Sequence, residues 1–144
     1  MRILLLLLHL VLGAGSCPAA PPDPATLQSA ERVTKLFLGS IDAGNARNAL
    51  RYVYEREHRD PKSGRVRRSP VVATASEIEQ RRRYGRVRAR TLQGAELLRT
   101  YPGFADGAFV RFTYAVRYER RADPVTEVIV IKADNPQRWK VVAF

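Results

Sequence analysis

Apolar and polar residues change their spacing twice along this chain, and each change marks a different kind of segment. Ile3 to Leu12 is an apolar run broken only by His9; the small residues Gly13 to Ser16 follow, then Pro18, Pro21, Pro22 and Pro24. From Leu27 the apolar residues recur at intervals of three and four, so that Leu27, Ala30, Val33, Phe37 and Ile41 share one helical face opposite Gln28, Glu31, Arg32, Lys35 and Asp42. Asp23 is placed to cap this helix, Pro24 to occupy its first turn and Gly44 to stop it. A second, shorter helix is predicted from Asn45 to about Glu57, with Ala46, Ala49, Leu50 and Val53 facing inward. His58 to Val72 has little apolar periodicity, carries Asp60-Pro61, Ser63-Gly64 and Ser69-Pro70, and reads as a basic loop. Thr74-Ala75-Ser76-Glu77 has capping-box spacing and predicts a third helix to about Arg83, lying on the surface because Ile78 is its one strongly apolar residue.

After Tyr84-Gly85 the period falls to two. Val87, Ala89 and Thr91 alternate with Arg86, Arg88 and Arg90, and Val110, Phe112, Tyr114, Val116 and Tyr118 alternate with polar or small residues. A third strand from about Val125 to Ala133 is apolar on both faces, which suits a central position, and the last runs from Arg138 to Phe144. Turn residues separate all four, so the connections are short and the strands form an antiparallel meander. Helices followed by such a sheet predict an α+β fold, with N-terminal helices packed on a curved four-stranded antiparallel sheet, cystatin-like or nuclear-transport-factor-like.

The first apolar run is too short for a membrane span, which needs about 20 residues, and reads as a signal peptide over residues 1–16. A Pro/Ala-rich spacer follows over 17–25, and 26–144 is one domain, the only one that a chain of 144 residues has room for. The protein is thus expected outside the cytoplasm, in the periplasm or secreted. Cys17 leaves two readings open: a lipidated residue that ties the protein to a membrane, or a residue lost or left free by ordinary cleavage nearby. As the only cysteine, it excludes internal disulfides and cysteine-rich zinc sites. The formal net charge of +11 favours anionic partners without identifying them.

Several segments carry a resemblance. Gly85-Arg86-Val87-Arg88-Ala89-Arg90-Thr91-Leu92, Tyr101-Pro102-Gly103-Phe104-Ala105-Asp106-Gly107, Val125-Thr126-Glu127-Val128 and Arg138-Trp139-Lys140-Val141-Val142, in this order, are similar to the secreted bacterial family called domain of unknown function 4019. Ile41-Asp42-Ala43-Gly44 is similar to the segment that ends the first helix in that family. The resemblance implies a signal peptide and no established activity. Between about Ala46 and Tyr84 the sequence departs from the family, which usually places tryptophans in its second and third helical segments; here Trp139 is the only one.

Candidate chemistry is sparse. His58 is the one histidine beyond the signal segment and lies in a charged stretch, no serine or glycine-rich segment has a catalytic or phosphate-binding setting, and no cofactor or metal site is predicted. Glu127 on the third strand is the catalytic candidate, an acid or base in the sheet's cone with Tyr114 or Tyr118 beside it; the competing reading pairs it with an arginine of a neighbouring strand. Arginines outnumber lysines 21 to 4, and Arg81, Arg82, Arg83, Arg86, Arg88 and Arg90 fall within ten residues. On a regular strand Arg86, Arg88 and Arg90 would point the same way at about 6.5 to 7 Å spacing, a guanidinium row suited to an anion such as a lipid headgroup or polysaccharide, or else a solvated charged face. The reading that follows is a secreted or envelope-anchored bacterial protein, more a non-enzymatic binding or interaction module than an enzyme, with a homodimer through the sheet as a further partner. The alternatives are a small acid/base enzyme using a cone carboxylate and a polyanion binder using the arginine row.

Overall fold

The computed structural model describes residues 23–135 and 138–144; the signal segment, most of the spacer and Cys17 lie outside them. Helix α1, Pro24–Asp42, starts as its sequence requires, with the Asp23 carboxylate accepting from the Thr26 backbone N–H at 3.3 Å. Ala30, Thr34, Phe37, Leu38 and Ile41 are buried along it, and the Thr34 hydroxyl is satisfied by donating to the Ala30 carbonyl at 3.1 Å. Gly44, at φ +69°, takes the chain out of the helix.

The next segment corrects two expectations. Helix α2 spans only Ala46–Leu50, and residues 55–70, expected to be the end of a helix and a loop, form a hairpin of strands β1 (Glu55–Arg59) and β2 (Val66–Pro70). All but one of its ten strand residues are exposed, so no apolar alternation could mark it; the turn holds it instead. The Asp60 carboxylate accepts from the Lys62 and Ser63 backbone N–H groups and the Ser63 hydroxyl, which holds its pKa below the ordinary value, and Gly64 sits at φ +66°. Cross-strand, Arg68 is paired with Glu57 at 2.7 Å. The order of elements is therefore not helices first and strands afterwards, because this hairpin separates α2 from helix α3, Thr74–Tyr84. A capping box is not formed either: Ala73 is the N-cap, and no side chain caps the helix.

Strands β3 (Val87–Leu98), β4 (Phe109–Tyr118), β5 (Val125–Asn135) and β6 (Arg138–Ala143) make the antiparallel meander in sequence order, which confirms an α+β fold and the central place of β5. The inner face carries Val110, Phe112, Tyr114, Val116 and Tyr118 of β4 beside Ile129 and Ile131 of β5, and packs on Phe37, Leu38 and Ile41 of α1, Ala49 of α2 and Ile78 of α3. The outer face is partly covered by a smaller cluster in which Phe109, Val130 and Val142 meet Tyr54, Tyr101 and Phe104. The edge of β6 is protected by residues 52–54: Tyr54 N–H donates to the Val141 carbonyl and Val141 N–H to the Tyr52 carbonyl, each at 2.8 Å. Among the described residues no helix is long and apolar enough to cross a membrane.

Candidate functional site

The charged residues that the sequence singles out separate into two groups, and a backbone irregularity does the sorting. Val87 pairs with Tyr118 but Ala89 pairs with Arg117, so Arg88 is an extra residue bulged out of β3. A bulge reverses the side-chain alternation, and Arg90, opposite Val116, consequently points to the inner face with Val87 rather than outward with Arg88. The expectation of one row made by Arg86, Arg88 and Arg90 is thereby corrected. Arg86 precedes the strand and is exposed, Arg88 is exposed and paired with Glu119 at 3.0 Å, and Arg90 is turned in among the helices.

Arg81 also leaves the surface. Thr74, Ile78 and Arg81 recur at four and three, share the buried side of α3, and bring a guanidinium over the sheet. There it meets Glu127, which β5 presents to the inner face opposite Tyr114. Arg81 Nη2 lies 2.6 Å from Glu127 Oε1 and its Nη1 2.9 Å from Oδ1 of Asp42, the last residue of α1. Arg90 completes the ring from β3, with Nη1 2.7 Å from Asp42 Oδ2 and Nη2 3.4 Å from Glu127 Oε2. The Tyr118 hydroxyl of β4 donates to Glu127 Oε1. Two carboxylates and two guanidinium groups cancel in charge, and they join α1, α3, β3 and β5 at one point.

Burial and pairing act on Arg90 and on the tyrosines beside it. Only 8% of the Glu127 side chain and 10% of that of Arg81 are exposed, so water does little of the solvation and the partners do the rest. Burial alone would lower the pKa of Arg90, but the hydrogen bonds and charge of Asp42, with the charge of Glu127, outweigh it and leave the group above its ordinary value. The Tyr118 phenol is pushed well up by burial and by its hydrogen bond to Glu127, and stays protonated as the donor. Tyr114 is raised to about 12, first by burial and then by the charge of Glu31, and its hydroxyl has no hydrogen-bond partner among the described residues. Phe144 supports the cluster from outside, its ring centroid 4.4 Å from the Arg81 guanidinium carbon.

Of the other candidates, Arg82 and Arg83 remain exposed, with Arg82 held by Glu79 at 3.2 Å. His58 is an exposed residue of β1 opposite Arg67. Sequence reasoning named Arg81, Arg90, Glu127 and Tyr118 but not Asp42, nor the association of them all. The spacing of Ile78 and Arg81 was the available signal for one inward guanidinium; the bulge at Arg88 left no trace in the residue pattern.

Compared with known proteins, residues 72–144 match the family described as a protein of unknown function (DUF4019), just over half of the chain. No curated protein and no solved structure matches. The matched segment holds α3 and the whole four-stranded sheet, hence Arg81, Arg90, Tyr118 and Glu127, while Asp42 enters from the helix before it. The chain belongs to the DUF4019 family.

Proposed function

We propose that the protein is an exported, non-enzymatic binding module of the bacterial envelope that presents a basic surface to an anionic partner. The observation that carries this reading is the state of Glu127. Both its oxygens are engaged, Oε1 by Arg81 and Tyr118 and Oε2 by Arg90, so the carboxylate joins helices to sheet and spends three of its about four acceptor sites inside the protein. A general acid or base has to reach the proton it moves, and this carboxylate is held by Arg81, Arg90 and Tyr118 with only 8% of its side chain exposed. Acid/base catalysis by Glu127 is accordingly the weaker reading.

Export rests on the Ile3–Leu12 run and on the resemblance to a secreted family. Cys17→Ser should release the protein from membranes into the soluble envelope fraction if the thiol carries lipid; an intact mass showing an unmodified chain beginning at or after Cys17 would remove that anchor. For the architecture, we favour the cystatin-like or nuclear-transport-factor-like class, because α1 lies across a sheet that is bulged at Arg88 and Gln93 and so bent around it. A homodimer through the sheet is supported by the position of β3 at the sheet's edge.

The basic surface lies where α3 turns into β3. Gly85 takes φ +80° there, and a Cβ on it would stand 3.1 Å from Arg120 Cγ and from Glu119 Cβ, so a glycine lets this turn lie against the β4–β5 turn. Arg82, Arg86 and Arg120 consequently line one groove of about 400 Å³. The guanidinium groups of Arg83, Arg86 and Arg120 have no carboxylate partner among the described residues, so they are cations available to a lipid headgroup or polysaccharide. Replacing these three by Gln orphans no carboxylate and should leave the unfolding midpoint nearly unchanged. Retention on heparin and on anionic vesicles at low salt should fall clearly, and elution at the same salt as wild type would refute this surface.

A further inference from the structure

At the opposite end of the sheet, on its outer face, a second group of cations stands without counter-charges. The hairpin β1–β2, the loop from Tyr101 to Gly107 and strands β5 and β6 enclose a cleft of about 680 Å³ whose walls include Tyr54, Arg56, Phe104, Lys132 and Lys140. Lys132 and Lys140 are direct cross-strand partners, an arrangement that costs stability because like charges face each other. The Lys132 ammonium lies 5.5, 5.8 and 5.9 Å from the ring centroids of Phe109, Tyr54 and Phe104, and it has neither a hydrogen-bond acceptor nor a carboxylate among the described residues. Arg56 covers the same Phe104 ring at 5.1 Å and uses one donor on the Gly103 carbonyl at 2.8 Å. Lys140 spends one donor on the Arg51 carbonyl.

The contrast within the cleft is informative. Of its other cations, Arg68 and Arg138 are neutralised by Glu57 at 2.7 Å and Asp134 at 2.5 Å, which occupies two of the three lining carboxylates and leaves Glu55 alone against Lys132, Lys140, Arg56 and Arg51. The ring faces stabilise an ammonium without neutralising it, and they keep it facing a half-closed space with its donors unused. A dianion between the two lysines would convert their repulsion into attraction and accept from donors that now have no acceptor. A phosphoryl group, with three acceptor oxygens and a charge of about −1.5 to −2 near neutral pH, suits three cations better than a carboxylate does. The cleft is far larger than a bare phosphate and of the size of pockets that take small organic ligands, and the Tyr54 and Phe104 rings offer apolar wall to an organic portion.

We propose that this cleft binds a phosphomonoester, its phosphoryl group held by Lys132, Lys140 and Arg56. The site goes beyond the arginine surface and is separate from it, since Val87 and Tyr118 mark one end of the β3–β4 pair and Phe109, beside Lys132, the other. The phosphomonoester comes either from a soluble molecule or from a lipid headgroup.

The test is titration of the full mature chain, by calorimetry at fixed ionic strength, with glycerol 3-phosphate and separately with vesicles containing phosphatidic acid in phosphatidylcholine. Binding of the soluble ester identifies a soluble ligand; binding of the vesicles alone identifies a headgroup; both support the site. Lys140→Gln and Arg56→Gln, changes at surface positions, should each weaken binding about tenfold or more, and Lys132→Gln should do the same. Lys140→Gln should also leave the unfolding midpoint unchanged or raised, because it removes one of two facing charges. The triple replacement of Arg83, Arg86 and Arg120 by Gln should bind like wild type. The proposal is overturned if wild type binds neither probe, if sulfate competes as well as the ester, or if Lys140→Gln and Arg56→Gln bind as wild type does. Loss confined to the triple arginine variant would overturn it too, and would move the phosphoryl ligand to the arginine surface.

Discussion

Replacing Glu127 by alanine is expected to destabilise the protein by about 3 to 5 kcal/mol, read from chemical unfolding at neutral pH. The reason is what the change leaves behind. Arg81 and Arg90 would retain charges in a site from which water is largely excluded, with Asp42 as their one remaining carboxylate, and the Tyr118 hydroxyl would lose its acceptor. An uncompensated buried charge is costly, whereas an exposed pair exchanges readily with water. Arg88→Ala, which breaks a pair whose arginine is 66% exposed, should therefore change stability by no more than about 0.5 kcal/mol. Equal losses from the two variants would mean that Glu127 is hydrated and free, and would revive it as a catalytic candidate.

Phe37→Ala is the second change with a large expected effect, also about 3 to 5 kcal/mol. Phe37 is fully buried at the centre of the α1–sheet contact and meets Phe144 edge-on, with centroids 5.2 Å apart and planes at 85°. Phe144 is the ring on which the Arg81 guanidinium rests, so the cavity left by Phe37 would open directly beside the support of the ionic cluster. Lys35→Ala, two residues earlier on the solvent side and holding only an i,i+4 pair with half-buried Glu31, should be nearly silent in the same unfolding measurement. Small and equal losses from both would show that α1 packs on the sheet by another face.

The parts of this fold that were readable in the residue order are those where burial follows a regular period. Phe37 and Ile41 on α1, and Phe112 to Tyr118 on β4, repeat at the spacing of their element, and the structure buries them accordingly. The hairpin of β1 and β2 escaped because a two-sided solvated ribbon buries nothing, and is specified by the Asp60 turn and cross-strand charges rather than by apolar alternation. For the candidate site the difficulty was different. Arg81 and Arg90 look like surface cations, since an arginine is buried only when carboxylates meet it, and those carboxylates lie 39 and 37 residues away along the chain, in Asp42 and Glu127. The bulge at Arg88 decides which of the β3 arginines turns inward, and it depends on register with β4, a property of two strands together. Lys132 and Lys140 drew no attention as isolated lysines; their facing positions emerge only once β5 and β6 are paired.

Glu127 works as the counter-ion of Arg81 across the helix–sheet interface. The decisive measurement is a double-mutant cycle between Arg81→Met and Glu127→Gln, with stability read from urea unfolding. The structure predicts a coupling energy of about 1 to 3 kcal/mol, so that the double variant is clearly more stable than the sum of the two single losses implies. Losses that add to within about 0.3 to 0.5 kcal/mol would contradict the claim, because they would show that the two groups do not sense each other.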